Sequence, residues 1–173
     1  TKNNLTLNMS SFDDLKALKA DTGNTINVHL KSDTGMTRVG VPLDQAEDFV
    51  KEADQIDSIE LEGIYSHFAT ADEGDLSYAN SQLSKFNEVI EISKKLEMSP
   101  TFIHCSNSGA ILNVNESRFN MIRTGMLLYG AFPSDEVPQE LPIKPVMTFN
   151  APVGGIRDGK AGINISYGAV CTT

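Results

Sequence analysis

Apolar and polar positions along this 173-residue chain follow two alternating periods. In SFDDLKALKA, residues 11–20, Phe12, Leu15 and Leu18 recur at helical spacing, and Ser11 and Asp14 stand in capping-box positions, which predicts a short amphipathic helix. The run INVHLKSD then sets Ile26, Val28 and Leu30 against Asn27, His29 and Lys31, the two-residue period of a strand from Ile26 to Asp33. Beyond Pro42, which a first helical turn tolerates, Leu43 to Asp54 places Leu43, Ala46, Phe49, Val50 and Ala53 on one face of a helix. The alternation continues: a strand over Ser58 to Phe68, a long helix over Ser77 to Glu97 with Leu83, Phe86, Ile90 and Leu96 inward, and a strand over Thr101 to Ser106. A short helix over Ser108 to Asn113 and a strand over Phe119 to Gly130 follow.

Strands separated by helices of this length pair in parallel, because a parallel crossover needs about a dozen residues or more. The class is therefore α/β. After Gly130 the prolines at 133, 138, 142 and 145 break any helix and predict a linker. Lys144 to Val170 then reads as two strands joined by a loop at Asp158 and Gly159, an antiparallel pair in a β-rich module. The expected division is an α/β domain over 1–143 and the start of a β domain over 144–173.

Composition narrows the function. The chain is 40% hydrophobic and 21% charged, with 14 Lys and Arg against 23 Asp and Glu, a formal net charge of −9 and a pI near 4.7. Such a surface repels phosphate backbones and anionic lipid, which argues against nucleic acid or a membrane as the partner. Cys105 and Cys171 lie far apart with no CxxC between them, so neither a disulfide framework nor a metal site is expected, and a reducing cytoplasm fits. No apolar run approaches the roughly 20 residues of a membrane span, and TKNNLTLN lacks the regions of a signal peptide. The chain starts without Met and stops in a strand-like run, so it is expected to be part of a longer protein.

In α/β folds, ligands collect at the carboxyl ends of the parallel strands. Those ends here are polar: Lys31, Asp33, Thr34 and Arg38 after the first, Ser66, His67 and Thr70 after the second, His104, Asn107 and Ser108 after the third, and Arg123, Thr124 and Gly125 after the fourth. Each residue alone has a plain structural reading, as an ion pair, a bonded histidine or a helix cap. Burying four such clusters without a ligand would cost several kcal/mol in desolvation. Asn107 to Ala110 offers a hydroxyl and backbone N–H groups at a helix start, where anions are favoured. GxGxxG, GxxxxGK[ST], GxSxG and HExxH are all missing, which removes dinucleotide, triphosphatase, serine-hydrolase and zinc-protease readings.

Five ordered blocks, HLKSDTGMTRVG (29–40), GIYSHFATADE (63–73), HCSNSGA (104–110), RTGMLLYG (123–130) and NISYGAV (164–170), closely resemble the alanine racemase family. The resemblance implies a partial (β/α)8 TIM-type barrel followed by a mostly β domain. It further implies pyridoxal 5′-phosphate as cofactor, a homodimer, and interconversion of L- and D-alanine for cell-wall precursors. Carried over by position, Lys31 resembles the lysine that is often carbamylated and then orients Arg38. Arg38 resembles the arginine at the cofactor's phenolic oxygen and the substrate carboxylate. His67 is similar to the histidine that bonds the catalytic tyrosine, for which Tyr167 stands, and Arg123 to the arginine facing the pyridine nitrogen, with His104 behind it. Asn107 matches the asparagine near the ring, while Ser108, Gly125 and Met126 occupy phosphate-binding positions. Thr37 and Thr124 depart from the usual neighbours, and no segment resembles the block whose lysine forms the Schiff base. A fragment without that block is expected to be inactive alone. Two other readings stand beside this one: a non-catalytic pyridoxal-phosphate barrel, against which Tyr167 argues, and a racemase or decarboxylase acting on another amino acid.

Overall fold

A computed structural model describes residues 5–19 and 25–173. Strand β1 (Leu7–Met9) leads to helix α1 (Phe12–Lys19), strands β2 (Ile26–Asp33) and β3 (Val41–Pro42), and helix α2 (Ala46–Asp54). Strand β4 (Ile59–Tyr65), helix α3 (Ser77–Lys95), strand β5 (Phe102–His104) and helix α4 (Ser108–Asn113) complete the α/β part. Strands β1, β2, β4 and β5 lie side by side in that order and all pair in parallel, while β3 adds Val41 and Pro42 to the end of β2. With its helices, this sheet is an arc of a TIM-type barrel.

The alternation along β2 decides what each side of the arc is made of. Val28 and Leu30 are fully buried in one core with Leu15, Phe49, Val50, Ile64, Phe86 and Val89. The intervening His29 lines the opposite, inner side of the arc, an open cavity of about 690 Å³ shared with Asn8, Glu62, Tyr65, His104 and Arg123. Apolar positions thus face the helices and polar positions face the barrel interior.

At α1, Ser11 Oγ accepts from the Asp14 N–H at 3.2 Å, and Asp14 reaches back one residue beyond the predicted box to the Ser10 N–H at 2.8 Å. The helix is found from Phe12, and the predicted last residue, Ala20, lies outside the described residues. The first turn predicted after Pro42 is a 3₁₀ turn over Leu43–Gln45 before α2 begins.

Two expectations are corrected. Phe119 to Gly130 is not a strand: apart from an Arg123 N–H bond to the Ser106 carbonyl it runs irregularly and ends in a 3₁₀ turn, Met126–Tyr129. Side chains take the bonds a ladder would have used. The Asn120 amide accepts from the Ile103 N–H at 2.8 Å and donates to the Thr101 carbonyl at 2.7 Å, occupying the edge of β5. The second correction concerns the β module, where Asp158 and Gly159 precede both strands. The antiparallel pair is β6 (Asn164–Ile165) with β7 (Cys171–Thr172). Every residue from 144 to 173 is exposed, Phe149 by 87% and Ile156 by 92%, so the apolar positions that predicted longer strands find no burying layer among the described residues.

Candidate functional site

Arg123 organises the carboxyl ends of the strands. Its Nη2 donates to the Ser66 carbonyl at 2.7 Å, His67 Nδ1 at 2.9 Å and the Cys105 carbonyl at 3.3 Å, and its Nη1 to His104 Nδ1 at 2.5 Å. All four acceptors are neutral, and among the described residues neither Arg123 nor Lys31 forms an ion pair. Arginine has no acceptor atom, so these contacts require both histidines to be unprotonated at Nδ1. Burial, reinforced by the Arg123 charge, pushes His67 down to about 4 and His104 down to about 3. Both rings are neutral near pH 7, with Nε2 as the donor.

Lys31 is nearly enclosed at the end of β2, and its ammonium lies 4.8 Å from the centre of the Tyr65 ring. Burial first, then the Arg123 charge, brings it down to about 8, with Asp33 opposing. The same ring lies 5.2 Å from the Arg123 guanidinium carbon and stacks on His104 at 4.8 Å. Burial raises the Tyr65 phenol above its ordinary range, and its hydroxyl donates to Asn8 Oδ1 at 2.7 Å.

A second cradle forms beside this cluster. Ser108 Oγ accepts from the N–H groups of Gly125 at 3.0 Å and Leu127 at 3.3 Å, tying the 125–127 turn to the start of α4 and leaving the serine O–H free to donate. Asn107 caps α4 by accepting from the Ala110 N–H at 3.0 Å and donates to the Phe68 carbonyl at 3.3 Å. Asn107, Ser108 and Gly125, with His67, Asp72, Arg123 and Met126, line an open cavity of about 260 Å³.

Of the residues singled out in the sequence, His67, Asn107, Ser108, Arg123, Gly125 and Met126 line this one cavity. His104 backs it through Arg123, and Lys31 joins the group through Tyr65. Arg38 does not line it: the residue is exposed on the loop after β2, and its charge reaches Lys31 and His67 from there. Tyr167 is 99% exposed in the turn between β6 and β7. The sequence reading missed Gln82, buried on α3, which accepts from the Ala69 N–H at 2.9 Å and donates to the His67 carbonyl at 3.2 Å, anchoring the His67 loop. Its signal was a glutamine amid the apolar stripe of Ala79, Phe86, Val89 and Ile90.

The family model for the N-terminal domain of alanine racemase matches residues 1–133. The chain belongs to the alanine racemase family. It is 36% identical over 161 residues to the alanine racemase of Desulfovibrio desulfuricans, an alignment covering 93% of this chain and 43% of that protein. To the alanine racemase of Halalkalibacterium halodurans it is 37% identical over 179 residues, covering 99% and 46%. Among solved structures, alanine racemase from Streptomyces lavendulae superposes with a TM-score of 0.86 at 30% identity, covering 99% of this chain and 47% of that one. Alanine racemase from Clostridium difficile 630 gives 0.83 at 32% identity, covering 99% and 46%. The chain therefore spans less than half the length of these alanine racemases.

Proposed function

We propose that this chain contributes the cofactor-facing arc of a pyridoxal-phosphate-dependent enzyme that interconverts L- and D-alanine. The observation that carries the reading is the half-buried Arg123 guanidinium, bonded among the described residues only to neutral acceptors and bordering a cavity whose other end offers a free hydroxyl. A guanidinium partly withdrawn from water and paired with no carboxylate keeps its charge uncompensated, so a donor set of this kind favours an anionic ligand. The residues fit pyridoxal phosphate: Ser108 O–H and the turn at Gly125 and Met126 suit its phosphate, with Asn107 near the ring and Arg123 at the ring nitrogen.

Pyridoxal phosphate, when bound, supplies the electron sink for the substrate's Cα carbanion. Arg123 would face the ring nitrogen and, being too basic to surrender its proton, would leave the ring a weaker sink and so disfavour transamination. His67 accepts from Arg123 at Nδ1, so its Nε2–H is left to donate to a phenolate. That phenolate is Tyr167 of a second protomer, which removes or returns the proton at Cα. Its unperturbed pKa of about 10 must fall by roughly 3 units, about 4 kcal/mol, for the task, and neighbouring cations and the His67 hydrogen bond serve it. Arg38, from its loop, holds the substrate carboxylate, and Lys31 in carbamylated form orients Arg38. Residues 1–143 belong to the barrel and 144–173 to the β domain that carries Tyr167 across the homodimer. The free thiols of Cys105 and Cys171 suit a reducing cytoplasm.

Coupled detection of D-alanine formed from L-alanine by the full-length protein with pyridoxal phosphate tests the reading. Turnover is expected; cofactor-loaded protein that leaves L-alanine unchanged overturns it.

A further inference from the structure

Behind Arg123 the polar contacts continue in a single direction. His104, unprotonated at Nδ1, carries its proton at Nε2 and donates to His29 Nδ1 at 2.9 Å. His29 must then be protonated at Nε2, a buried nitrogen with no aligned acceptor among the described residues, which lies 3.2 Å from Glu62 Oε2. Glu62 is acceptor-only when ionised. It already receives the Thr6 hydroxyl at 2.6 Å and the Asn27 amide at 3.3 Å, and the Thr6 bond holds its carboxyl below the usual range. The sequence guanidinium, imidazole, imidazole, carboxylate therefore admits one arrangement of protons.

The backbone is shaped for this arrangement. The β2 and β4 register runs from Val28 opposite Leu61 to His29 opposite Gly63, so Glu62 is the extra residue of a β-bulge, a device that re-aims side chains. Gly63 is equally specific. A Cβ there would come within 2.7 Å of His29 Cε1 and Nε2, so only glycine lets the imidazole lie across β4. Neither feature serves the hydrophobic core, which lies on the other side of the sheet.

We propose that Glu62 is a positioning residue: aimed by the bulge, it fixes the tautomers of His29 and His104 and through them holds the Arg123 guanidinium in place. Its consequence for turnover rests on the racemase reading above; the tautomers do not. Histidine ¹⁵N NMR on the full chain tests it, because protonated and unprotonated ring nitrogens give separate resonances. In the unaltered protein His29 and His104 each show one tautomer, protonated at Nε2. Glu62→Leu raises the Nδ1-protonated form of His29 at least about tenfold relative to the other tautomer, since the carboxylate 3.2 Å from Nε2, which favours a proton there, is lost. Gly63→Ala, which displaces the ring without touching the carboxylate, does the same and serves if Glu62→Leu fails to fold. An unchanged His29 tautomer ratio in folded variants overturns the proposal. With alanine, Glu62→Leu lowers kcat about tenfold while KM stays within about twofold. Shifted tautomers with unchanged kcat overturn the positioning role. If the variants shift tautomers as described but the unaltered full-length protein turns over no alanine, the racemase reading fails and the tautomer assignment stands.

Discussion

Replacing Arg123 by leucine removes the charge at the centre of the cluster while keeping an apolar side chain of moderate size. The change leaves His104 Nδ1, His67 Nδ1 and the Ser66 carbonyl without their donor. A buried acceptor left unsatisfied costs about 1–3 kcal/mol, and the open cavity lets water recover part of it, so the sum is about 3–5 kcal/mol. For a chain of this length each kcal/mol lowers Tm by about 2–4 °C, which predicts a loss of roughly 6–20 °C by calorimetry. The histidines report independently. Both are pushed down first by burial and then by the Arg123 charge, so in Arg123→Leu their values rise above about 4 and about 3 without regaining 6.5. Two-dimensional NMR titration follows each ring separately. A Tm within about 2 °C of the parent, together with unmoved histidine titrations, would refute the assignment of Arg123 as the organising cation.

Acid should destabilise the fold through the same rings. Unfolded histidines take up protons near 6.5 whereas His67 and His104 resist until about 4 and about 3, so stability is complete above pH 6.5 and falls as pH drops toward 3. The pair contributes about 2 kcal/mol after solvent access is discounted, measurable by urea unfolding at pH 7 and 4.5; a flat profile contradicts it. Lys31, brought down to about 8, is about one-tenth uncharged at pH 7 and reacts with carbon dioxide; ¹³C-bicarbonate NMR should give a carbamate signal that Lys31→Arg abolishes. No such signal at pH 8 rejects the carbamate. Mixing full-length Tyr167→Phe with full-length Arg38→Ala should restore up to about half the sites of each mixed dimer. If subunits exchange and the mixture stays inactive, Tyr167 does not act across the interface.

The local periods of the sequence were enough for β2, α2 and α3, because a buried face writes its spacing into eight or more residues. The polar residues after the strands were legible because in a parallel sheet chain order fixes which ends meet, and His67 and Ser108 converge as that order requires, whereas Arg123 reaches them from an irregular segment. β1 escaped notice because three residues carry too little alternation. The Phe119 to Gly130 segment misled because apolar content resembles a strand's, while the edge of β5 was claimed by the Asn120 side chain, a contact that no local pattern encodes. His29 and Glu62 show the remaining limit. In sequence they are the polar half of two alternating strands, indistinguishable from a solvated face. Only the curvature of the sheet makes that face an interior, where a one-residue bulge and a missing Cβ decide which atoms meet.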